Sequence, residues 1–267
     1  MYSRFALAKK YLQYYLTASN GRGHGVHSPF VYDFIRHVLN DGVRYPAYEV
    51  VEGLRGRLLA DRSVVEVKDL GAGSALGATS ARRVCDIARY AAKPRKLGQL
   101  LFRIARYYQA GRVLELGTSM GLSTAYLGLG VRDAGGYVWT IEGAPAVAAV
   151  AEGNLRSAGC TNVEVVVGNF DDRMEEVLDR AGGFDLAFVD GNHRLEPTLR
   201  YFHMLMSRAP GACILIFDDI HWSEEMEEAW DVIRQDPRVY MTIDLFFIGL
   251  VVLRDEFKVK QDFAVRF

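Results

Sequence analysis

The stretch Val113-Leu114-Glu115-Leu116-Gly117-Thr118-Ser119-Met120-Gly121 decides how the chain is read. A short β-type run passes into a turn carrying two glycines. Glycines at 117 and 121 let a backbone bend sharply and approach a ligand with no Cβ in the way. Downstream, β-rich runs at Val113–Leu116, Tyr137–Ile141, Val163–Val167, Leu186–Val189 and Cys213–Phe217 alternate with helical stretches. Those stretches lie near 121–129, 145–158, 171–180, 195–208 and 223–235. Such alternation predicts a mostly parallel sheet with helices on both faces. Two last runs, Tyr240–Leu245 and Ile248–Leu253, are separated by very few residues. A parallel crossover needs a dozen or more, so these two must pair antiparallel.

Upstream the pattern is helical. Phe5, Ala8, Leu12 and Tyr15 fall on one stripe of a helix over 5–16, a face expected to be buried. After a glycine-rich break at Asn20 to Gly25, Ser28-Pro29 reads as N-cap and first helical residue. Phe30, Phe34, Ile35 and Val38 then repeat at helical spacing. Residues 41–80 read as irregular, and 81–109 as helical with a break near Pro94. The expected division is a helical accessory segment over 1–93 and a ligand-binding domain over 94–267.

Composition sets bounds on function. The chain has 267 residues, half of them apolar, and a net charge of −1, which gives no global attraction to nucleic acid or anionic membrane. Arg82 to Arg106 holds eight basic residues against the single acid Asp86, which reads as a solvated face ahead of an RNA contact. Lys9, Lys10 and Gln13 interrupt what a secretory signal would keep apolar, and the run Leu245 to Leu253 is too short to span a bilayer. Three scattered cysteines, Cys85, Cys160 and Cys213, suit a reducing compartment. The expectation is a cytoplasmic protein; a homodimer is left open.

In open α/β sheets ligands sit beyond the carboxyl ends of the strands. The second run ends in Thr140-Ile141-Glu142, where a carboxylate can accept hydrogen bonds from both hydroxyls of a ribose. The third leads into Gly168-Asn169-Phe170-Asp171, offering a polar contact and an apolar face to a flat base. The fourth ends in Phe188-Val189-Asp190-Gly191. The glycine run is Gly117-x-x-x-Gly121, without the middle glycine of a dinucleotide fingerprint.

From about Leu97 to the C-terminus the chain resembles class I S-adenosylmethionine-dependent methyltransferases. Leu114 through Thr124 is similar to their first motif, and Glu142 falls at their ribose-binding acid. Phe188 to His193 and Phe217-Asp218-Asp219 resemble the catechol O-methyltransferase type. The resemblance implies a Rossmann-like, mostly parallel seven-stranded sheet with a C-terminal antiparallel hairpin. It implies a cofactor site of Glu115, Gly117, Ser119, Gly121, Ser123, Glu142, Asn169, Phe170 and Asp190. It also implies methyl transfer to a small molecule at oxygen, with Asp190, Asp218 and Asp219 as ligands of Mg²⁺. The family's third ligand is commonly asparagine and its base lysine, where this chain has Asp219 and His193. A metal-free reaction therefore stays open, with His193 as base beside Asp190 and the acids as helix caps.

Other readings compete. Asp69-Leu70-Gly71-Ala72-Gly73-Ser74 also looks like a first motif, yet no strand ending in an acid follows it, so it is read as a glycine-rich turn. His24 and His27 form an HxxH with no cysteine or acid cluster nearby in sequence, read as ordering a loop rather than holding zinc. A nicotinamide-dependent oxidoreductase and a non-catalytic cofactor-binding module are the alternative functions.

Overall fold

The computed structural model describes residues 1–23, 26–67 and 81–267. The glycine-rich run at 69–77 and His24 of the HxxH lie outside the described residues. The chain divides into two compact units, one of residues 42–184 and one of residues 1–41 with 185–267.

The unit of 42–184 begins with helix α3 (Pro46–Ala60), in a region expected to be irregular. Pro46 stands in its first turn, where the missing N–H costs nothing. Tyr48, Val51, Leu54 and Leu58 recur at helical spacing and are buried. Gly53 and Gly56 lower its intrinsic propensity, and burial of the apolar face outweighs them. Strands β1 (Val64–Glu66) and β2 (Ala81–Arg83) pair antiparallel, so the helix expected from 81 starts only at Val84. It is broken as expected around Pro94, into α4 (Val84–Tyr90) and α5 (Arg95–Tyr107). Then come β3 (Arg112–Leu116), α6 (Leu122–Arg132), β4 (Tyr137–Glu142), α7 (Pro145–Ser157), β5 (Val163–Val167) and α8 (Phe170–Ala181). β3, β4 and β5 are parallel neighbours in that order. α6 is buried from Leu122 to Val131, and its Tyr126 and Leu129 share a core with the apolar face of α3.

In the other unit, α1 (Arg4–Thr17) is capped by Ser3, and α2 (Pro29–Phe34) by Ser28, whose hydroxyl accepts from the Val31 N–H. A π-helical turn, Ile35–Leu39, extends α2. β6 (Leu186–Val189), α9 (Leu195–Arg208), β7 (Cys213–Asp218) and α10 (Glu224–Gln235) follow. β8 (Met241–Asp244) and β9 (Ile248–Leu253) form the expected antiparallel hairpin. β6 and β7 are parallel, while β9 lies antiparallel between β7 and β8. One strand more than the seven expected, β10 (Gln261–Ala264), pairs parallel with β8. It exceeds the seven expected because Gln261-Asp262-Phe263-Ala264 is short and half polar. Ser19 bridges beside it, donating to the Ala264 carbonyl at 2.8 Å and accepting from the Arg266 N–H at 3.1 Å.

The stripe of α1 does not lie where its periodicity suggests. Phe5, Leu12 and Leu16 are exposed, Phe5 at 83%, and no residue of the helix is buried. The face turned to the protein is instead the aromatic and basic one, carrying Tyr2, Lys10, Tyr11 and Tyr14. Among the described residues no helix is long and apolar enough to cross a membrane.

Candidate active site

The glycine-rich turn is held from three sides. At the end of β3, Gly117 and Thr118 donate backbone N–H groups to the Ile141 carbonyl at 3.0 and 3.3 Å. Gly117 has φ 106° and Gly121 φ 81°, the left-handed region that favours glycine, and Gly121 opens α6. Asn154 of α7 donates to the Met120 carbonyl at 3.0 Å. Ser119, at φ 48°, turns its backbone N–H onto Glu142.

Glu142 is the hinge of this arrangement. One carboxylate oxygen accepts from the Ser119 N–H at 2.9 Å, the other from the Ala144 N–H at 3.0 Å. Its backbone carbonyl accepts from Gly168 at 2.9 Å, so the ends of β3, β4 and β5 meet at this residue. Burial pushes its pKa above the usual carboxylate range, against the pull of backbone N–H donors at Ala144, Ser119 and Gly143. A carboxylate oxygen accepts more than one hydrogen bond, so lone pairs remain for hydroxyls of a ligand.

Glu115 has a different place from the one its motif suggests. It is fully buried, with no surface for a ligand, and its Oε2 accepts from Thr140 at 2.7 Å and from Thr124. The Thr118 and Thr140 hydroxyls bond each other at 2.7 Å. Glu115 thus acts on the turn by fixing it. Thr118 and Thr140 complete this buried network and escaped the sequence reading; the signal was a lone polar residue at an inward position of a strand. Ser123 is buried in the first turn of α6. Asn169 caps α8, its side chain accepting from the Asp171 N–H at 3.3 Å, and Phe170 begins that helix half-buried.

In the other unit, the ends of β6 and β7 bring Asp190, His193 and Asp218 together. One ligand-type atom from each lies within 4.8 Å of the others. His193 Nε2 is 3.6 Å from Asp190 Oδ1, and Asp218 is 1% exposed. Asp219 does not join this group. Its φ of 55° turns the chain, its N–H donates to the Phe247 carbonyl at 2.7 Å, and its own carbonyl accepts from Trp222 at 2.9 Å. The third member is therefore His193, where the resemblance puts Asp219. Two carboxylates and an imidazole are a donor set that fits a divalent cation, the carboxylates suiting Mg²⁺ or Mn²⁺ and the imidazole later transition metals.

His27 is exposed in the loop before Ser28, and no described cluster of metal-ligand type includes it. Cys85, Cys160 and Cys213 are buried free thiols, and burial raises the pKa of Cys160 to about 11 and of Cys213 to about 12.

Comparison with known proteins agrees with this geometry. A methyltransferase-domain family profile matches residues 114–220. The catechol O-methyltransferase of Mycobacterium tuberculosis is 36% identical over 124 residues, 46% of this chain and 54% of the relative. That of Niastella koreensis is 30% identical over 125 residues, 46% of this chain and 55% of its own length. The chain thus spans about half the length of the curated relatives it matches. Among solved structures, the O-methyltransferase from Bacillus cereus in complex with SAH has a TM-score of 0.55 at 20% identity, covering 80% of this chain and 93% of the other. Residues 114–220 are therefore similar to a methyltransferase domain, and the chain shares the class I, Rossmann-like fold of the Bacillus cereus structure. Within that class the chain resembles O-methyltransferases of the catechol type.

Proposed function

We propose that the protein is an S-adenosylmethionine-dependent methyltransferase acting on a hydroxyl of a small molecule. The observation that carries this reading is Glu142, a half-buried carboxylate bonded to the backbone of the glycine-rich turn and keeping acceptor capacity for a ribose. The sulfonium cofactor, when bound, supplies an activated methyl carbon and a neutral leaving group. Most of what the chain adds is placement, and well-aligned reactants save roughly 7–11 kcal/mol of barrier. Glu142 would hold the ribose hydroxyls, and Gly117 and Gly121 would admit the cofactor close to the backbone. Asn169 and Phe170 would contact the base. Ser119 would present the N–H that fixes Glu142, with Ser123 in the helix turn behind it.

Asp190, His193 and Asp218 would serve the acceptor. A divalent cation held by them would supply Lewis acidity to an acceptor hydroxyl. Residues 1–93 are proposed as an accessory segment and 94–267 as the methyltransferase domain. The buried free thiols fit a reducing, cytoplasmic setting.

The test is methyl transfer to a panel of catechol-like and other hydroxylated acceptors, with and without chelator. Product formation that chelator stops and Mg²⁺ or Mn²⁺ restores is the expected result. Turnover indifferent to chelator would remove the metal and leave His193, beside Asp190, as the base. Preferential binding of NAD would overturn the methyltransferase reading.

A further inference from the structure

We propose that His221 is a positioning residue that couples helix α1 to the turn following Asp218, and so tunes the acceptor side of the reaction. The proposal rests on the methyltransferase reading for its functional half and on geometry alone for the coupling.

The turn Asp219–Ser223 carries the chain from the end of β7 into α10. His221 sits at its centre, with Nδ1 3.0 Å from Glu227 Oε1 of α10 and Nε2 2.9 Å from Asp244 Oδ2 at the end of β8. Both ring nitrogens face carboxylate oxygens, an arrangement that favours the protonated ring, in which both nitrogens donate. Burial pulls its pKa down, and the bonds to Asp244 and Glu227 more than reverse this, leaving it above the ordinary histidine value. Phe246 stacks on the ring at 5.0 Å.

The same two residues are where α1 attaches, Glu227 through its carboxylate and Asp244 through its backbone carbonyl. Lys10 Nζ lies 2.9 Å from Glu227 Oε2, and the Tyr2 hydroxyl donates to that oxygen at 2.7 Å. The Tyr14 hydroxyl reaches the Asp244 carbonyl at 2.9 Å and the Val265 carbonyl at 2.5 Å. Tyr11 packs edge-on against Phe246 at 5.0 Å. The Tyr2 N–H bonds the Trp222 carbonyl at 3.0 Å, joining the start of the helix directly to the turn. Because no residue of α1 is buried, these polar and aromatic contacts are what hold it. None of the groups belongs to the Asp190–His193–Asp218 set or to the glycine-rich turn.

Hydrogen exchange of the full-length protein tests the coupling. Lys10→Glu sets like charges together at Glu227, and His221→Phe keeps the ring stack while deleting both donors. In each variant, amide exchange should quicken about tenfold over 219–223 as well as over 4–17, the loss expected from a charge-assisted bond. Lys10→Arg should exchange like the wild type. With a catechol-type acceptor, both disruptive variants should raise KM severalfold, leaving kcat and affinity for S-adenosylhomocysteine unchanged. Faster exchange confined to 4–17, or an unchanged KM in variants whose turn has loosened, would overturn the proposal. A wild-type protein that methylates no acceptor would count against the enzymatic reading, and the exchange over 219–223 would then decide the coupling by itself.

Discussion

Glu142 carries opposing demands. Burial raises its pKa, so the ligand-free fold binds a proton at this site more readily than the unfolded chain does. Stability of the ligand-free protein should therefore decline as pH rises from the ordinary carboxylate value through the raised folded one. Cofactor affinity should move the other way, because a ribose hydroxyl donates to the carboxylate and loses an acceptor when it is protonated. Calorimetry with S-adenosylhomocysteine at several pH values should show weaker binding, and proton release on binding, as pH falls through that window. Affinity flat with pH would mean that Glu142 does not face the ligand. Thr140 gives a second test at this scale. Thr140→Val keeps the shape but withdraws a hydrogen bond from the buried Glu115 and from Thr118. A loss of about 1–3 kcal/mol in urea unfolding is expected. An unchanged midpoint would show that the network is not structural.

At the scale of elements, α3 offers the plainest case. A Cβ built on Gly53 or Gly56 meets nothing within 4 Å. Gly53→Ala and Gly56→Ala should each stabilise the protein by up to about 1 kcal/mol, read by thermal or denaturant unfolding. Destabilisation by either would mean that the helix needs those glycines for something other than space. These glycines also explain why α3 was illegible: they dilute a pattern, Tyr48-Val51-Leu54-Leu58, that is otherwise helical. The parallel strands and the terminal hairpin were legible because each is a short β-rich run bounded by turn residues. Periodicity misled at α1, where Phe5 and Leu12 form an apolar stripe that faces outward while Lys10 and Tyr14 make the attachment. Helical spacing says which residues share a face, not which face is covered. The site divided similarly. The glycine-rich turn and Glu142 are local in sequence and could be read; that Asp218 groups with His193 rather than its own neighbour Asp219 depends on a left-handed φ no pattern announces.

For the molecule as a whole, the proposed function divides between the units, with cofactor binding in 42–184 and acceptor activation by residues of the other. The two functions should separate by mutation. Asp218→Asn should reduce divalent-metal affinity and turnover together while leaving S-adenosylhomocysteine binding largely intact. If it abolishes cofactor binding in a protein that remains folded, the division is mistaken.

Everything proposed for the site depends on a sulfonium cofactor binding at the glycine-rich turn with Glu142 on its ribose. Isothermal titration of the wild type and Glu142→Ala with S-adenosylhomocysteine, alongside NAD, tests it most directly. Micromolar binding of S-adenosylhomocysteine in preference to NAD is expected, weakened at least about tenfold by loss of charge-assisted bonds in the variant. Equal affinity in the two proteins, or a wild type that prefers NAD, would contradict it.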